Sequence, residues 1–281
     1  MPVRMTLPPT LGERLAASAR PLVGMWVCSG SALNAEIAAG SGLDIVLIDA
    51  EHSPNGPESI LAQLQAVAAY PVAPLVRPPY GDTVIIKQYL DLGVQNLLVP
   101  MVDSPEQAAE LVRAVRYPPA GVRGVGSALA RSARWNRVPG YLADASASIS
   151  LFVQIESRAA VERVAEIAAV DGVDGILVGP ADLAASMGHL GEQDHPEVVE
   201  AVLHSISAAT ELGKPAGVNA FAPDAADRYR AAGAAFVLVG ADVALLARAS
   251  EALADRFIVG ESGGDGGGQG GGESGSDVAI P

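Results

Sequence analysis

Cysteine, lysine and long apolar runs are what this chain has least of. Cys28 is the one cysteine among 281 residues. No disulfide can form within the chain, and a reducing cytoplasm is the expected setting. Lysine occurs twice, as Lys87 and Lys214. Lys87 reads as helical and Lys214 precedes an apolar run, so neither offers an amine for a Schiff base with a carbonyl compound. No apolar run approaches the roughly 20 residues needed to cross a bilayer, and Met1 to Arg20 lacks the charged-then-apolar pattern of a signal segment. Positive charge is also short: 18 Lys and Arg stand against 32 Asp and Glu, for a net charge of −14. Phosphate binding wants the opposite surplus, so no nucleic-acid partner is expected. No Cys/His cluster marks a structural zinc site.

What is present is an alternation. The chain is 49% hydrophobic and 18% charged. Eight short apolar runs recur: Leu22–Cys28, Asp44–Ala50, Ala73–Arg77, Asn96–Val102, Ile149–Ile155, Gly175–Gly179, Ala216–Ala220 and Phe236–Gly240. They are rich in Val, Ile and Leu, and most lack polar alternation, as strands buried on both faces do. Between them lie stretches with helical spacing, such as Ser104–Val115, Val161–Ala169 and Pro196–Leu212. Eight strand–helix units predict an α/β fold, a single-domain (β/α)8 TIM barrel over residues 21–258, preceded by a segment over 1–20. From 259 to 281 glycine, serine and acids dominate, and a disordered tail is expected. The stretch Arg116–Ala147, with Arg123, Arg131, Arg134, Arg137 and Pro118-Pro119, is longer than a simple connection.

In such a barrel the strand C-termini and the loops after them carry the chemistry. That rule sorts the polar residues. Asp49, Glu51 and His52 end the second strand, Arg77 the third and Glu156 the fifth, while Asp182 follows the sixth. Glu156 and Asp182 on neighbouring strands are the candidate ligands of one divalent cation, Mg2+, Mn2+ or Co2+, which favour hard oxygen donors. The plain alternatives are an ion pair of Glu156 with Arg158 and a helix-capping role for Asp182. Gly179-Pro180-Ala181-Asp182 opens a helix, where the free amides of Ala181 and Asp182 attract an anion such as a carboxylate. His52 is the candidate general base, with Asp91 placed to orient its ring; against this stand a loop histidine bonded to backbone and an ordinary helix-end carboxylate. Arg77 needs an anionic partner, either an oxyanion that develops during reaction or Asp49 and Glu51.

Five segments together resemble the HpcH/HpaI aldolase family: Asp49-Ala-Glu-His52, Val76-Arg77-Pro78, Tyr117-Pro-Pro-Ala-Gly-Val-Arg-Gly124, Gln154-Ile-Glu156 and Gly179-Pro-Ala-Asp-Leu183. The resemblance runs from about Gly24 to Asp242. It implies a (β/α)8 barrel and a metal-dependent pyruvate aldolase acting on a 2-oxo acid and an aldehyde. It implies Glu156 and Asp182 as metal ligands, Arg77 beside the pyruvate carbonyl, His52 with Asp91 as acid/base pair, Asp49 supporting His52, and Gln154 lining the site. Trp26 matches a family residue near the aldehyde entrance. Asn219 stands where the family often looks apolar, which points to a hydroxylated aldehyde. The resemblance also implies a homohexamer, with a helix over about Val243–Arg256 exchanged between paired subunits. Two other readings stay open: a citryl- or malyl-thioester lyase, and a non-catalytic 2-oxo acid binder.

Overall fold

The computed structural model describes residues 3–259. Eight parallel strands close into a barrel in sequence order: β1 (Leu22–Val27), β2 (Ile45–Asp49), β3 (Ala73–Arg77), β4 (Asn96–Val99), β5 (Ser150–Ile155), β6 (Gly175–Val178), β7 (Ala216–Asn219) and β8 (Phe236–Ala241). Each strand pairs with the next, and β1 pairs with β8 to complete the ring. Their side chains are almost all buried, because the strands face an inner core on one side and helices on the other. Inside the barrel, Phe152 and Phe236 meet edge to face, with ring centroids 5.6 Å apart.

The helices are α1 (Leu11–Ala17), α2 (Ala32–Ala39), α3 (Pro57–Ala66), α4 (Thr83–Asp91), α5 (Pro105–Val115), α6 (Tyr141–Asp144), α7 (Arg158–Glu162), α8 (Val164–Ala168), α9 (Pro180–Met187), α10 (Pro196–Glu211), α11 (Pro223–Ala231) and α12 (Asp242–Ala254). The single helix expected over Val161–Ala169 is two short ones, broken at Arg163. α1 starts with a capping box between Thr10 and Glu13. Its first amides bond outward, Leu11 N–H to Asn96 Oδ1 at 2.6 Å and Gly12 N–H to Ser150 Oγ at 3.1 Å. Asn96 and Ser150 begin β4 and β5, so α1 covers the end of the barrel where strands start. The end where strands finish is left for the site.

The long connection after α5 contains a cis Pro118–Pro119 bond and three successive residues in the left-handed region, Arg134, Trp135 and Asn136. Short helical turns at Arg131–Ala133 and Ala145–Ser148 flank α6.

The described residues divide into two compact units that part after Val243. The first holds the whole barrel. In the second, the rest of α12 leads into a π-helical turn at Asp255–Val259, and Leu245, Leu246, Leu253, Phe257 and Ile258 are exposed. Beyond Val259 the expected glycine-rich tail lies outside the described residues. Among the described residues no helix is long and apolar enough to cross a membrane.

Candidate active site

Strand register brings the first polar cluster together. Asp49, last in β2, sits level with Arg77, last in β3. Both are buried, at 1% and 5% exposure. Arg77 Nε donates to Asp49 Oδ1 at 2.8 Å, and Arg77 Nη1 pairs with Glu51 Oε2 at 2.8 Å. A guanidinium between two carboxylates in this position meets the requirement that a buried charge be paired. The same Asp49 organises the following turn. Its Oδ1 also accepts the Glu51 amide at 3.0 Å, and its Oδ2 accepts the His52 amide at 3.3 Å. Its carbonyl oxygen accepts from Ser53 Oγ and from Asn55 Nδ2. Asp-Ala-Glu-His is therefore a clamped turn.

Arg77 is held from a third side. Its guanidinium carbon lies 4.4 Å from the centroid of the Trp26 ring, a cation–π distance. Trp26, in β1, donates its indole N–H to Asn219 Oδ1 at 2.8 Å. Asn219, Trp26, Arg77, Asp49 and Glu51 thus form one connected network across the mouth.

The second cluster follows β5 and β6. Glu156 is 3% exposed. Its Oε1 accepts the Met101 amide at 2.6 Å, and its Oε2 accepts from Gln154 Nε2. Met101 has φ 55°, in the left-handed region, where a bulky residue is strained. That conformation aims its N–H at the carboxylate. Gly179 is required beside it: a Cβ there would stand 2.9 Å from Gln154 Nε2 and 3.0 Å from Glu156 Oε2. The Gln154 side-chain oxygen Oε1 is buried without a hydrogen-bond partner among the described residues.

Asp182 lies exposed in the first turn of α9. Gly179 is the N-cap and no side chain caps this helix, so Asp182 is free of the capping role. Glu156 has no ion pair with Arg158 among the described residues. Asp182 is near enough to raise the pKa of both Glu156 and Glu51. Burial pushes the Glu156 carboxyl up to about 7; the Met101 amide and Arg77 oppose this, while Asp182 and Glu51 add to it. Glu51 is raised mainly by burial, with Asp49 and Asp182 adding and Arg77 and His52 opposing. Burial and the Asp49 and Asp242 charges push the Cys28 thiol up to about 12.

His52 projects into solvent, its side chain 67% exposed, with Nε2 3.9 Å from Glu51 Oε2. Glu51 is the carboxylate that faces it. Asp91 is not: it ends α4, which returns the chain to the end of the barrel where β4 begins. There its Oδ1 lies 3.6 Å from Nη2 of the fully buried Arg123. Arg123 also donates to the Tyr141 hydroxyl at 3.2 Å and stands 4.5 Å from the Tyr117 ring. Within one chain, helix direction puts Asp91 and His52 at opposite ends of the barrel. Glu51, a candidate partner of Arg77 from the sequence, also faces His52. The part played by the Met101 amide carries no residue-type signal, since any non-proline residue supplies one.

These features define a class first: a closed parallel barrel with an acid-rich, arginine-clamped mouth. The model of the HpcH/HpaI aldolase/citrate lyase family matches residues 22–249. The chain belongs to that family. It is 56% identical over 259 residues to the hydroxypyruvate/pyruvate aldolase of Deinococcus radiodurans, covering 92% of this chain and 94% of that one. It is 52% identical over 238 residues to the 4-hydroxy-2-oxo-heptane-1,7-dioate aldolase of Escherichia coli, covering 85% and 91%. Among solved structures it matches an HpcH/HpaI aldolase/citrate lyase family protein from Burkholderia cenocepacia with a TM-score of 0.84, at 40% identity, covering 88% of this chain and 98% of that one.

Proposed function

We infer that this protein is a carbon–carbon lyase, a metal-dependent aldolase that cleaves 4-hydroxy-2-oxo acids to pyruvate and an aldehyde, reversibly. The aldolases named above, which align with nearly the whole chain, support the reaction class. The observation that carries it is the charge imbalance at the mouth. Glu156 is buried beside Asp182 and Glu51 strongly enough to be raised to about 7, with Arg77 as the cation that opposes the rise.

A divalent cation fits that donor set. Glu156 and Asp182 offer hard oxygen ligands, and the Gln154 side-chain amide, with its unpartnered Oε1, lies beside Glu156. Held there, Mg2+, Mn2+ or Co2+ would supply Lewis-acid polarisation of a keto group. The first-turn amides of α9 at Ala181 and Asp182 seat the substrate carboxylate. Arg77, fixed by Asp49, Glu51 and Trp26, presents positive charge where the enolate oxygen develops. His52 is accessible and anchored through its own amide to Asp49; it takes the proton of the C4 hydroxyl as the C3–C4 bond breaks. The electrons of that bond pass into the pyruvate enolate, which is then protonated at C3. Trp26 and Asn219 border the aldehyde end.

Asp91 keeps its place as the partner of His52 in the one way the fold leaves open, from a neighbouring copy in a homo-oligomer, which we take to be a hexamer. Exposed apolar residues on α12 and the turn after it suit the exchange of that helix between copies. The lone cysteine suits a cytoplasmic setting.

The test is pyruvate release from 4-hydroxy-2-oxo acids with Mg2+ or Mn2+, before and after EDTA. Metal-dependent release supports the reading. Turnover of acyl thioesters alone would replace it with a lyase of the citryl or malyl type, and binding of metal and pyruvate without turnover would reduce the protein to a binder.

A further inference from the structure

The β6–α10 connection carries metal-ligating side chains that the reaction does not use. α9 ends at Gly188, whose φ of 90° turns the chain, and a second left-handed glycine, Gly191 (φ 84°), turns it again. Glycine tolerates both conformations, and neither position has a neighbour within 4 Å of a would-be Cβ. Between and after them run two successive turns: Glu192 N–H bonds to His189 C=O at 2.8 Å, and His195 N–H bonds to Glu192 C=O at 2.9 Å. Three-residue steps closed in this way stack His189, Glu192 and His195 on one side. One potential ligand atom from each lies within 4.8 Å of the other two.

We propose that His189, Glu192 and His195 form a second divalent-metal site, separate from the mouth. It would be selective for ions that accept nitrogen ligands, such as Zn2+, Ni2+ and Co2+, over Mg2+.

The His189 and His195 rings are stacked, with centroids 3.5 Å apart and planes 15° apart. His189 Nε2 lies 3.2 Å from Glu197 Oε2. An imidazole that gives one N–H to a carboxylate is fixed as the tautomer whose other nitrogen, here Nδ1, is a ligand; this is the outer support usual around metal-bound histidine. His195 has Nδ1 in a long 3.3 Å bond from the Glu197 amide, a weak contact for an ion to displace. The surroundings are acidic, with Asp194 and Glu197 adjoining Glu192, so a cation is favoured. Imidazole donors select the transition ions, whereas Mg2+ prefers an all-oxygen shell.

The location gives the site consequence. α9 carries Asp182 in its first turn and His189 just past its end, about 10 Å along the helix axis. A cavity of about 20 Å3 is lined by Pro180, Gln193, Asp194 and Asn219, so the loop adjoins the mouth. An ion on the three side chains ties the end of α9 to the start of α10.

The test is stoichiometry rather than activity. EDTA-stripped full-length protein is titrated calorimetrically with Zn2+ and separately with Mg2+. The parent should take two equivalents of Zn2+ per chain and one of Mg2+. His189→Ala and His195→Ala should each lose one equivalent of Zn2+ and keep the Mg2+ equivalent. Glu197→Gln, which removes only the outer carboxylate, should weaken the second Zn2+ site by roughly 10–100-fold. A single Zn2+ equivalent in the parent, or parent-like Zn2+ binding in both histidine variants, would overturn the proposal. Survival of both Zn2+ equivalents in Glu156→Gln would instead count against the metal reading of the mouth.

Discussion

The two ends of this barrel carry opposite excesses of charge. At the mouth, Asp49, Glu51, Glu156 and Asp182 gather around Arg77, and burial raises Glu156 and Glu51. At the end where strands begin, Arg123, Arg131 and Arg134 gather around Asp91 and the turn after it. Arg131 Nη1 bonds to Leu92 C=O at 2.9 Å, and burial, with Arg134 adding, lowers Arg131 to about 10. Each end holds a charge that its own chain leaves uncompensated. The mouth lacks a cation and the far end lacks anions. The first deficit suits a bound divalent ion. The second leaves Asp91 gripped by Arg123 and 30% exposed, positioned to reach outside its own chain.

The sharpest way to break this contrast is to remove the acid excess. Glu156→Gln keeps an acceptor for the Met101 amide but removes a ligand charge. Metal-dependent pyruvate release should fall to background, with Mg2+ affinity lost in calorimetry. In EDTA the sign of its stability effect reverses. The Glu156 carboxyl is raised in the fold from an ordinary 4.5 to about 7. Its protonated form is thus favoured by the fold, and stability present below about pH 4.5 is lost as pH rises through 7. The metal-free variant should therefore melt several °C above the metal-free parent at pH 8, with the gap closing toward pH 5. A variant that melts lower at pH 8 would show that Glu156 is compensated without metal.

Arg77→Ala tests the opposite change, removal of the lone cation at the mouth. We expect kcat to fall by roughly 10²–10³-fold through loss of oxyanion stabilisation, with Mg2+ still bound. Asp49 is left buried without its partner, so unfolding free energy should drop by about 3–5 kcal/mol. Undiminished turnover would remove Arg77 from the reaction.

The far end is probed by complementation. His52→Ala copies keep Asp91, and Asp91→Asn copies keep His52. Each alone should show proton transfer slowed by roughly 10²-fold or more, read as pyruvate C3 proton exchange. If the pair forms between copies, a co-assembled equal mixture regains intact pairs at about a quarter of its sites, and exchange rises above either parent. A mixture no faster than the mean of its parents would remove Asp91 from the His52 pair.

The sequence shows the mouth far better than the far end, for a topological reason. Strands buried on both faces appear as unbroken Val/Ile/Leu runs, so all eight are legible. Once they are placed, Asp49, Arg77, Glu156 and Asp182 fall at strand ends by counting. Contacts between distant segments have no such rule. Arg123 meets Asp91 across a long connection with a cis bond and three left-handed residues, which no periodicity marks. Helix direction alone places Asp91 away from His52, since a helix after β3 must run back to the start of β4. The Arg77 ion pairs with Asp49 and Glu51 were an open alternative to an oxyanion role; the geometry has both carboxylates on it at once. The Trp26–Asn219 bond joins residues 193 apart, and polarity at Asn219 hints at a role without naming the partner.

That bond sets the smallest predicted effect. Asn219 was expected to favour a hydroxylated aldehyde directly, yet its Oδ1 is already taken by the Trp26 indole N–H. Asn219→Leu leaves that N–H without its acceptor and loosens the ring that supports Arg77. The two routes separate by acceptor. If Asn219 only holds Trp26, aldol addition to glycolaldehyde and to a straight-chain aldehyde should slow together. If its free amide nitrogen also meets the acceptor hydroxyl, glycolaldehyde should lose roughly tenfold more in kcat/KM, the scale of one polar contact. The network from Asn219 through Trp26 to Arg77 and Glu51 favours the first outcome, a small common loss on both aldehydes. Rates unchanged for both aldehydes would show that this edge of the mouth neither reads the acceptor nor steadies the guanidinium.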